Sequence, residues 1–270
     1  MHFQTFLPHN SLRSFVRFYW LLEPGSGTDQ PQRLLPGAGC DLIIQIGPPA
    51  RCKIGEGRWQ TRRPAGFVEG HFKSFFQVRF TGGCRLAGLR FTSTGLYPFV
   101  KAPLKEFTQR FIDLVAVFGK AGLTLIQRVA ELPAASVLPT VFDRFLNEQL
   151  AQPLGLDNRL EYAVQMLIKR RGMITVRRLT REAGMSERQL ERAFDRHLGL
   201  SPECFAQMLR VNHFVQLARK PNRPSFTQLA YDCGYADQSH LIRAFKQHTG
   251  MTPRAYFHQQ HPIQCALGGV

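Results

Sequence analysis

The chain has 270 residues, of which 35 are Lys or Arg and 19 are Asp or Glu, giving a formal net charge of +16. Its composition, with 44% hydrophobic and 20% charged residues, excludes a disordered chain. No apolar run reaches the roughly 18–20 residues that span a bilayer, and no secretory signal opens the chain, so we expect a cytoplasmic protein with no membrane partner.

The positive charge favours a polyanionic partner such as nucleic acid. It does not say which part of the chain binds it, because residues 1–156 and 157–270 each carry a net charge of +8. A length of 270 residues suggests two domains, at roughly 100–200 residues per domain.

The first part of the chain predicts a β-rich domain. Short apolar runs at 42–46, 75–80 and 86–91 are separated by glycine and proline turns, and the last two runs are expected to pair as a hairpin. Regularly spaced short strands of this kind are typical of a β-sandwich or barrel, whose interior holds either a packed core or a small ligand.

Helical periodicity replaces this pattern after residue 105. Residues 124–131 predict a helix, and the segment 136–150 predicts another with a broad apolar stripe. The stripe either packs on the β-rich domain or forms a dimer face. Residues 153–157 are then expected to be a linker.

An internal repeat dominates the remaining chain. The stretch from Leu179 to Pro202 recurs from Leu229 to Pro253, and each copy predicts a short helix, a glycine turn and a second helix. In the first copy, Gly184 is suited to end a helix and Ser186 with Gln189 forms a capping box. In the second copy, Asp237 is a suitable N-cap.

The second helix of each copy has one apolar face and one polar face. Leu190 and Phe194 share the apolar face in the first copy, as Leu241 and Phe245 do in the second. This pattern predicts two helix-turn-helix units whose second helices can enter the DNA major groove. The intervening residues 203–217 lack Gly and Pro and predict one connecting helix.

Residues 158–257 resemble the DNA-binding domain of the AraC/XylS family of bacterial transcriptional regulators. The second unit carries the family signature from Gly234-Tyr235 through Phe245, followed by Gly250-Met-Thr-Pro253. Two positions depart from the pattern: Phe214 stands where a small residue is usual, and Phe257 stands where Arg is frequent. The resemblance implies sequence-specific binding of double-stranded promoter DNA and activation through RNA polymerase.

The resemblance also assigns roles to outward residues of the second helices. Arg pairs with guanine, Gln pairs with adenine, a carboxylate accepts from cytosine, and an apolar side chain contacts the thymine methyl. The expected base readers are Glu187, Arg188, Glu191, Arg192, Gln238, Ser239, Ile242 and Arg243. Glu191 could instead orient Arg188 or Arg192 through an ion pair. The expected phosphate contacts are Arg196, His240, Lys246, Thr252 and Arg254.

The segment from Leu35 to Ile44 and the segment from Gly88 to Phe99 resemble a sensor-type domain found before this DNA-binding module. The resemblance implies a cupin-like domain that binds an effector or has lost that ability. Candidate residues for a pocket holding an amphipathic anion are Arg79, Arg90, Phe76 and Phe91, with Arg33, Arg85, Phe72 and Phe75 as further candidates. A packed core and a solvated face are the alternatives for these Phe and Arg residues.

The sequence offers no recognisable catalytic motif, so we predict no enzyme activity and no cofactor. Glu69 and His71 form the nearest approach to a catalytic pair. The six cysteines do not have the spacing of a zinc module, although a site built from Cys40, Cys52, Cys84 and His71 is conceivable. A metal-binding cupin-type sensor or enzyme fused to the DNA-binding module therefore remains the alternative function.

We therefore predict an α+β protein with a cupin-like β-barrel or sandwich, flanking helices and an all-α domain. Residues 1–152 form an effector-binding or dimerisation domain, 153–157 a linker, 158–257 the tandem helix-turn-helix domain and 258–270 a tail. The expected function is regulation of transcription, modulated by a small molecule or by formation of a homodimer.

Overall fold

The computed structural model describes residues 2–25, 30–61, 65–100, 102–150 and 157–259. Their elements divide into a β-rich N-terminal part and a helical C-terminal part, which confirms the predicted α+β class. Apart from Asp157 and residues 258–259, the predicted linker and tail lie outside the described residues. No helix in the described ranges is long and apolar enough to cross a membrane.

The strands of the N-terminal part form two antiparallel sheets. In chain order they are β1 (His2–Phe6), β2 (Val16–Glu23), β3 (Gln32–Leu34), β4 (Asp41–Ile46), β5 (Arg51–Ile54), β6 (Gln60–Thr61), β7 (Gly66–Glu69), β8 (Phe76–Arg79), β9 (Arg85–Phe91) and β10 (Phe111–Asp113). The larger sheet has the order β1-β2-β9-β4-β7-β10, and the smaller sheet has the order β3-β8-β5-β6.

One apolar core is shared by the two sheets. Trp20, Ile43 and Phe67 contribute from the larger sheet. Phe76 and Val78 contribute from the smaller sheet. Both sheets keep edge strands within the described residues, so the domain is an open sandwich rather than a closed barrel.

The predicted hairpin between the second and third apolar runs is wrong. The runs do form β8 and β9, but β8 pairs with β3 and β5, whereas β9 pairs with β2 and β4. The turn at Gly82-Gly83 carries the chain from one sheet to the other, with Gly83 at a positive φ of 80°. Closeness along the chain therefore does not produce pairing here.

Two helices cover the outer face of the larger sheet. The first is α1 (Leu114–Ala130), which is kinked at Gly119 and contains the predicted 124–131 helix except for its last residue, Glu131, the C-cap. The second is α2 (Leu138–Gln149). In α2 the stripe residues Leu138, Phe142 and Leu146 are fully buried in one core with strand residues of the sheet. The stripe packs on the β-rich domain, as the first of the two alternatives predicts, so its buried residues are not available as a dimer face.

Seven helices make up the C-terminal part described by the structure. They are α3 (Asn158–Lys169), α4 (Val176–Ala183), α5 (Glu187–His197), α6 (Pro202–Ala218), α7 (Phe226–Asp232), α8 (Gln238–Thr249) and α9 (Pro253–Phe257). Helices α4 and α5 form the first predicted helix-turn-helix unit, and α7 and α8 form the second. Helix α6 confirms the predicted connecting helix.

Local chemistry fixes both turns as the sequence predicts. Gly184 ends α4 in the left-handed conformation, at φ 63°. Ser186 and Gln189 form the capping box that begins α5. Asp237 begins α8 by accepting a hydrogen bond from the backbone N–H of His240 at 2.7 Å.

The two departures from the family pattern contact each other. Phe214 is fully buried in the core of the second unit, and its ring centroid lies 6.1 Å from that of Phe257. The Phe214 ring also meets Phe226 and Phe245 at 5.7 and 5.4 Å. The larger residue in α6 therefore belongs to an aromatic cluster in which Phe257 fills adjacent space.

Candidate nucleic-acid interface

Helix α5 presents a polar outward face over a buried inner one. Leu190 and Phe194 are fully buried, which fixes the rotation of the helix about its axis. The predicted readers on the opposite face are all exposed: Glu187, Arg188, Glu191 and Arg192. The ion pairs of this unit join other residues, such as Arg178 and Glu182, so in the described structure Glu191 is not paired with Arg188 or Arg192.

Helix α8 repeats this arrangement with different chemistry. Ser239 and Arg243 are exposed, whereas Gln238 and Ile242 are half-buried at the same outward face. The side-chain oxygen of Gln238 accepts a hydrogen bond from the Thr227 hydroxyl at 3.0 Å. That contact orients the Gln238 amide and leaves its NH₂ group available as a donor.

The predicted phosphate contacts occupy less uniform positions. Lys246 and Arg254 are exposed. Thr252 caps α9 through its hydroxyl, and the His240 ring packs edge-on against Tyr235 at 5.3 Å. Arg196, by contrast, contacts the β-rich domain. Its Nε donates a hydrogen bond to the Tyr97 hydroxyl at 2.8 Å, which joins α5 to that domain.

Helix α6 is a single rod that connects the two units. Its 17 residues span about 25 Å at 1.5 Å per residue. Successive major grooves on one side of B-DNA repeat every ~34 Å. A rod of this length, with one unit packed at each end, is of the right order to present two helices to neighbouring grooves.

A short loop of the β-rich domain reaches both units at once. This loop, Leu35–Gly39, precedes β4 and is called the 35–39 loop below. Leu35 packs in the core of the second unit, and Ala38 packs in the core of the first. Between them, the Pro36 carbonyl accepts a buried hydrogen bond from Asn212 of α6 at 2.9 Å.

The second unit has a further contact with the smaller sheet. The backbone N–H of Phe75 donates to the His248 carbonyl at 2.8 Å. Arg33 donates to the Thr249 carbonyl at 2.6 Å and stacks over the Phe75 ring at 3.9 Å. Arg33 and Phe75, considered from the sequence as pocket residues, therefore lie in the seam between the domains.

His71 makes the corresponding contact with the first unit. It lies beyond the end of β7, so it does not share a strand face with Glu69, as the catalytic-pair hypothesis requires. Its Nδ1 is 2.8 Å from the Leu198 carbonyl oxygen at the end of α5, and its Nε2 is 3.4 Å from the Ala38 carbonyl oxygen. Burial lowers the pKa of His71, and the two carbonyls oppose that shift.

A cavity opens between the two sheets and ends at this seam. Its walls are mostly apolar, with Trp20, Phe72 and Phe76 among the lining residues. The 35–39 loop and Asn212 close one side. The cavity volume is about 60 Å³, which is room for roughly four to six water molecules.

An ion pair supplies the polar end of the cavity. Arg90 Nε lies 3.1 Å from both carboxylate oxygens of Asp41, and Asp41 also accepts a hydrogen bond from the Trp20 indole at 3.3 Å. Arg17 also lines the cavity. Burial first, and the charge of Arg90 second, lower the pKa of Arg17. The cavity therefore combines an aromatic wall with fixed charged groups.

The predicted pocket residues separate into two groups. Phe76 and Arg90 line the cavity. Phe91 does not, because successive strand residues face opposite sides and Phe91 is buried in the core beneath α1 and α2. The Arg79 guanidinium stacks over Trp59 at 5.1 Å and is also absent from the cavity wall.

The conceivable metal site is not assembled. Cys40 Sγ lies 3.3 Å from His71 Nδ1, but no group of three or more His, Cys, Asp or Glu residues in the described ranges is placed to hold a metal ion. Burial raises the pKa of the Cys40 thiol, which disfavours the thiolate form that binds metals.

Comparison with known proteins agrees with the two-part architecture. Residues 179–259 match the family described as helix-turn-helix domain, and residues 4–113 match a domain of unknown function (DUF6597). The HTH-type transcriptional regulator ArgR of Pseudomonas aeruginosa is 25% identical over 203 residues, which are 60% of this chain and 61% of ArgR. The HTH-type transcriptional activator RhaS of Escherichia fergusonii is 27% identical over 142 residues, 48% of this chain and 51% of RhaS.

Residues 179–259 carry a helix-turn-helix domain, and the chain is similar to HTH-type transcriptional regulators. The chain spans less than two thirds of the length of these two curated relatives. Both relatives are named as regulators of transcription. Among solved structures, ToxT from Vibrio cholerae matches with a TM-score of 0.49 and 12% identity, covering 96% of this chain and 98% of that one. The helix-turn-helix match includes α5, α6, α7 and α8 in full.

Sequence reasoning missed the residues that join the domains. Neither Asn212 nor Leu35 carries a local pattern that points to a distant partner. The sequence did offer one indication, since Asn212 is a polar residue among the apolar positions of α6. In the fold its side chain is only 8% exposed. Buried polar side chains need hydrogen-bond partners, and here the partner lies 176 residues away along the chain.

Proposed function

We propose that this protein regulates transcription by binding promoter DNA through α5 and α8. The observation that supports the proposal most directly is the matched pair of second helices. Each has a buried apolar face, a capped N-terminus and an outward face of donors and acceptors. Such a helix reads base edges in the major groove.

The proposed readers give the two units different base preferences. In α5 the two guanidinium groups of Arg188 and Arg192 suit guanine, and the Glu187 and Glu191 carboxylates suit the cytosine amino group. In α8 the Arg243 guanidinium again suits guanine, while the Gln238 amide suits adenine. The protein thus recognises two unlike half-sites rather than a palindrome.

Binding to duplex DNA at a stated salt concentration tests this proposal. The Arg188→Ala/Arg243→Ala variant removes one reader from each unit, and we expect it to lose sequence preference while keeping weak non-specific binding. Arg128→Ala is the matched control, because Arg128 is exposed on α1 of the β-rich domain. Equal sequence preference in the double variant and the control would refute the assignment of these readers.

We further propose that the cavity holds an effector that modulates DNA binding. The lining suits a compact amphipathic molecule whose apolar part packs on Trp20 and Phe76 and whose polar group reaches Arg90. The cavity shares the 35–39 loop with both helix-turn-helix units. A ligand that moves this loop therefore changes the support of both units together.

Activation through RNA polymerase is part of the same proposal, because the similar proteins include RhaS, which is named a transcriptional activator. A homodimer through the 136–150 segment is not proposed, since the stripe is covered by the chain's own core. In vitro transcription from a bound promoter, with and without the protein, measures the direction of regulation.

A further inference from the structure

The first helices of the two units have the same burial pattern. In α4, Arg177, Arg178 and Arg181 are exposed while Leu179 and Thr180 are buried. The equivalent positions of α7 lie fifty residues further along the chain. There Thr227, Gln228 and Tyr231 are exposed while Leu229 and Ala230 are buried, so the two helices align without a shift.

These equivalent faces differ sharply in charge. Three of the outward positions of α4 are arginines, and the fourth is Glu182. The equivalent positions of α7 are Thr227, Gln228, Tyr231 and Asp232. The outward face of α4 is therefore net positive, whereas that of α7 is net negative, on the same local backbone.

The positive charge of α4 is only partly neutralised. The exposed Arg178 has its Nε 2.6 Å from the carboxylate of the half-buried Glu182, one helical turn further along α4. The hydrogen bond from Arg178 is the main cause that lowers the pKa of the Glu182 carboxyl. The positive charges of Arg178, of Arg170 at the end of α3 and of Arg181 lower it further. One carboxylate thus stands among three guanidinium groups, and Arg177 adds a fourth positive charge on the same helix.

We propose that the α4 arginine face, formed by Arg177, Arg178 and Arg181, binds DNA phosphates and anchors the first unit, while the second unit binds with few phosphate contacts from α7. This inference rests on the proposed DNA-binding function and adds contacts outside the two second helices. In a helix-turn-helix the first helix crosses the DNA backbone, where guanidinium groups bind phosphates bidentately. The α4 arginine face then adds sequence-independent affinity that α7 does not supply.

The dependence of binding on salt measures these contacts. Each phosphate neutralised contributes about 0.9 to the slope of log affinity against log salt concentration. A labelled duplex of mixed sequence serves as the probe, because phosphate contacts do not depend on sequence. The Arg177→Gln/Arg181→Gln variant should reduce the slope by about 1.8, corresponding to two lost contacts.

A control variant separates local contacts from overall charge. Arg128→Gln/Arg144→Gln removes the same charge from exposed positions on α1 and α2, and we expect its slope to match that of the wild type. The reverse variant Gln228→Arg/Tyr231→Arg places guanidinium groups at the exposed α7 positions equivalent to Arg178 and Arg181 and should steepen the slope. Melting curves verify that each variant is folded, as expected for exposed positions.

Three results would overturn the inference. The first is an unchanged slope in the α4 variant when the wild type binds with a clear salt dependence. The second is an equal reduction in the α1 and α2 control, which would show that only overall charge matters. The third is absence of DNA binding by the wild type, which would overturn the proposed function as well.

Discussion

The Nδ1 atom of His71 lies 2.8 Å from the carbonyl oxygen of Leu198, the residue that follows α5. A side chain of the β-rich domain thus holds the end of a proposed DNA-reading helix. Thr108 supports the next residue, since its hydroxyl donates to the Gly199 carbonyl at 2.7 Å. The position of α5 is therefore set by the β-rich domain as well as by its own unit.

Acidification should weaken this seam. Burial lowers the pKa of His71 in the folded protein, so the unfolded chain takes up the proton more readily. The stabilisation is present above the ordinary His pKa of about 6.5 and is lost as the pH falls below it. We expect the melting temperature to fall between about pH 7.5 and pH 5.5.

The His71→Asn variant isolates that contribution. It should melt below the wild type at the higher pH, because the Leu198 contact is lost, yet change less on acidification. Thermal unfolding followed by circular dichroism at both pH values gives the comparison. An unaltered pH dependence in the variant would show that His71 does not contribute to the acid sensitivity.

The hydrogen bond from Asn212 to Pro36 should couple the two domains. Asn212→Ala leaves the buried Pro36 carbonyl without this donor, at a cost of about 1–3 kcal/mol in the free energy of unfolding. Asn147→Ala is the matched control, because Asn147 Nδ2 donates to a backbone carbonyl at an exposed position. Equal losses in urea unfolding of the two variants would contradict the importance of the seam contact.

The Arg90–Asp41 pair should be far more sensitive than an exposed pair. Asp41 is 2% exposed, so Asp41→Ala removes the buried carboxylate that hydrogen-bonds the Arg90 guanidinium, at a cost of about 3–5 kcal/mol. The pair of Arg85 and Glu23, at 3.9 Å and largely exposed, provides the comparison through Glu23→Ala, expected to cost about 0–1 kcal/mol. Similar losses in chemical denaturation would contradict the burial argument.

The Phe214 cluster should show energetic coupling with Phe257. Phe214→Ala is expected to cost about 3–5 kcal/mol, because a fully buried aromatic side chain is replaced by a cavity. A double-mutant cycle with Phe257→Ala should give a coupling of about 0.5–1.5 kcal/mol. Strictly additive losses would mean that the two rings, despite their contact, stabilise the unit independently.

Features encoded within a few residues were predictable from the sequence. The caps at Ser186 and Asp237 and the glycine that ends α4 are local, so their chemistry can be read directly. The helix-turn-helix repeat was predictable for the same reason. Strand pairing was not, because β8 and β9 enter different sheets through a turn that resembles a hairpin turn.

The assignment of pocket residues shows a second limit. The sequence placed Arg90 and Phe91 together as pocket candidates, yet the pleat of β9 sends only Arg90 to the cavity. The roles of Leu35, Ala38 and Asn212 depend on contacts between distant parts of the chain. No local periodicity encodes such contacts, so they follow only from the assembled fold.

Selection of bound duplexes from a random pool tests the central claim, that α5 and α8 read DNA sequence, most directly. For the wild type we predict a motif of two unlike half-sites centred about 10 base pairs apart, one helical turn. Arg243→Ala should lose preference at one base pair in one half-site, at a cost of about 1–3 kcal/mol, and keep the other half-site. No enriched motif for the wild type, or an identical motif for Arg243→Ala, would contradict the account.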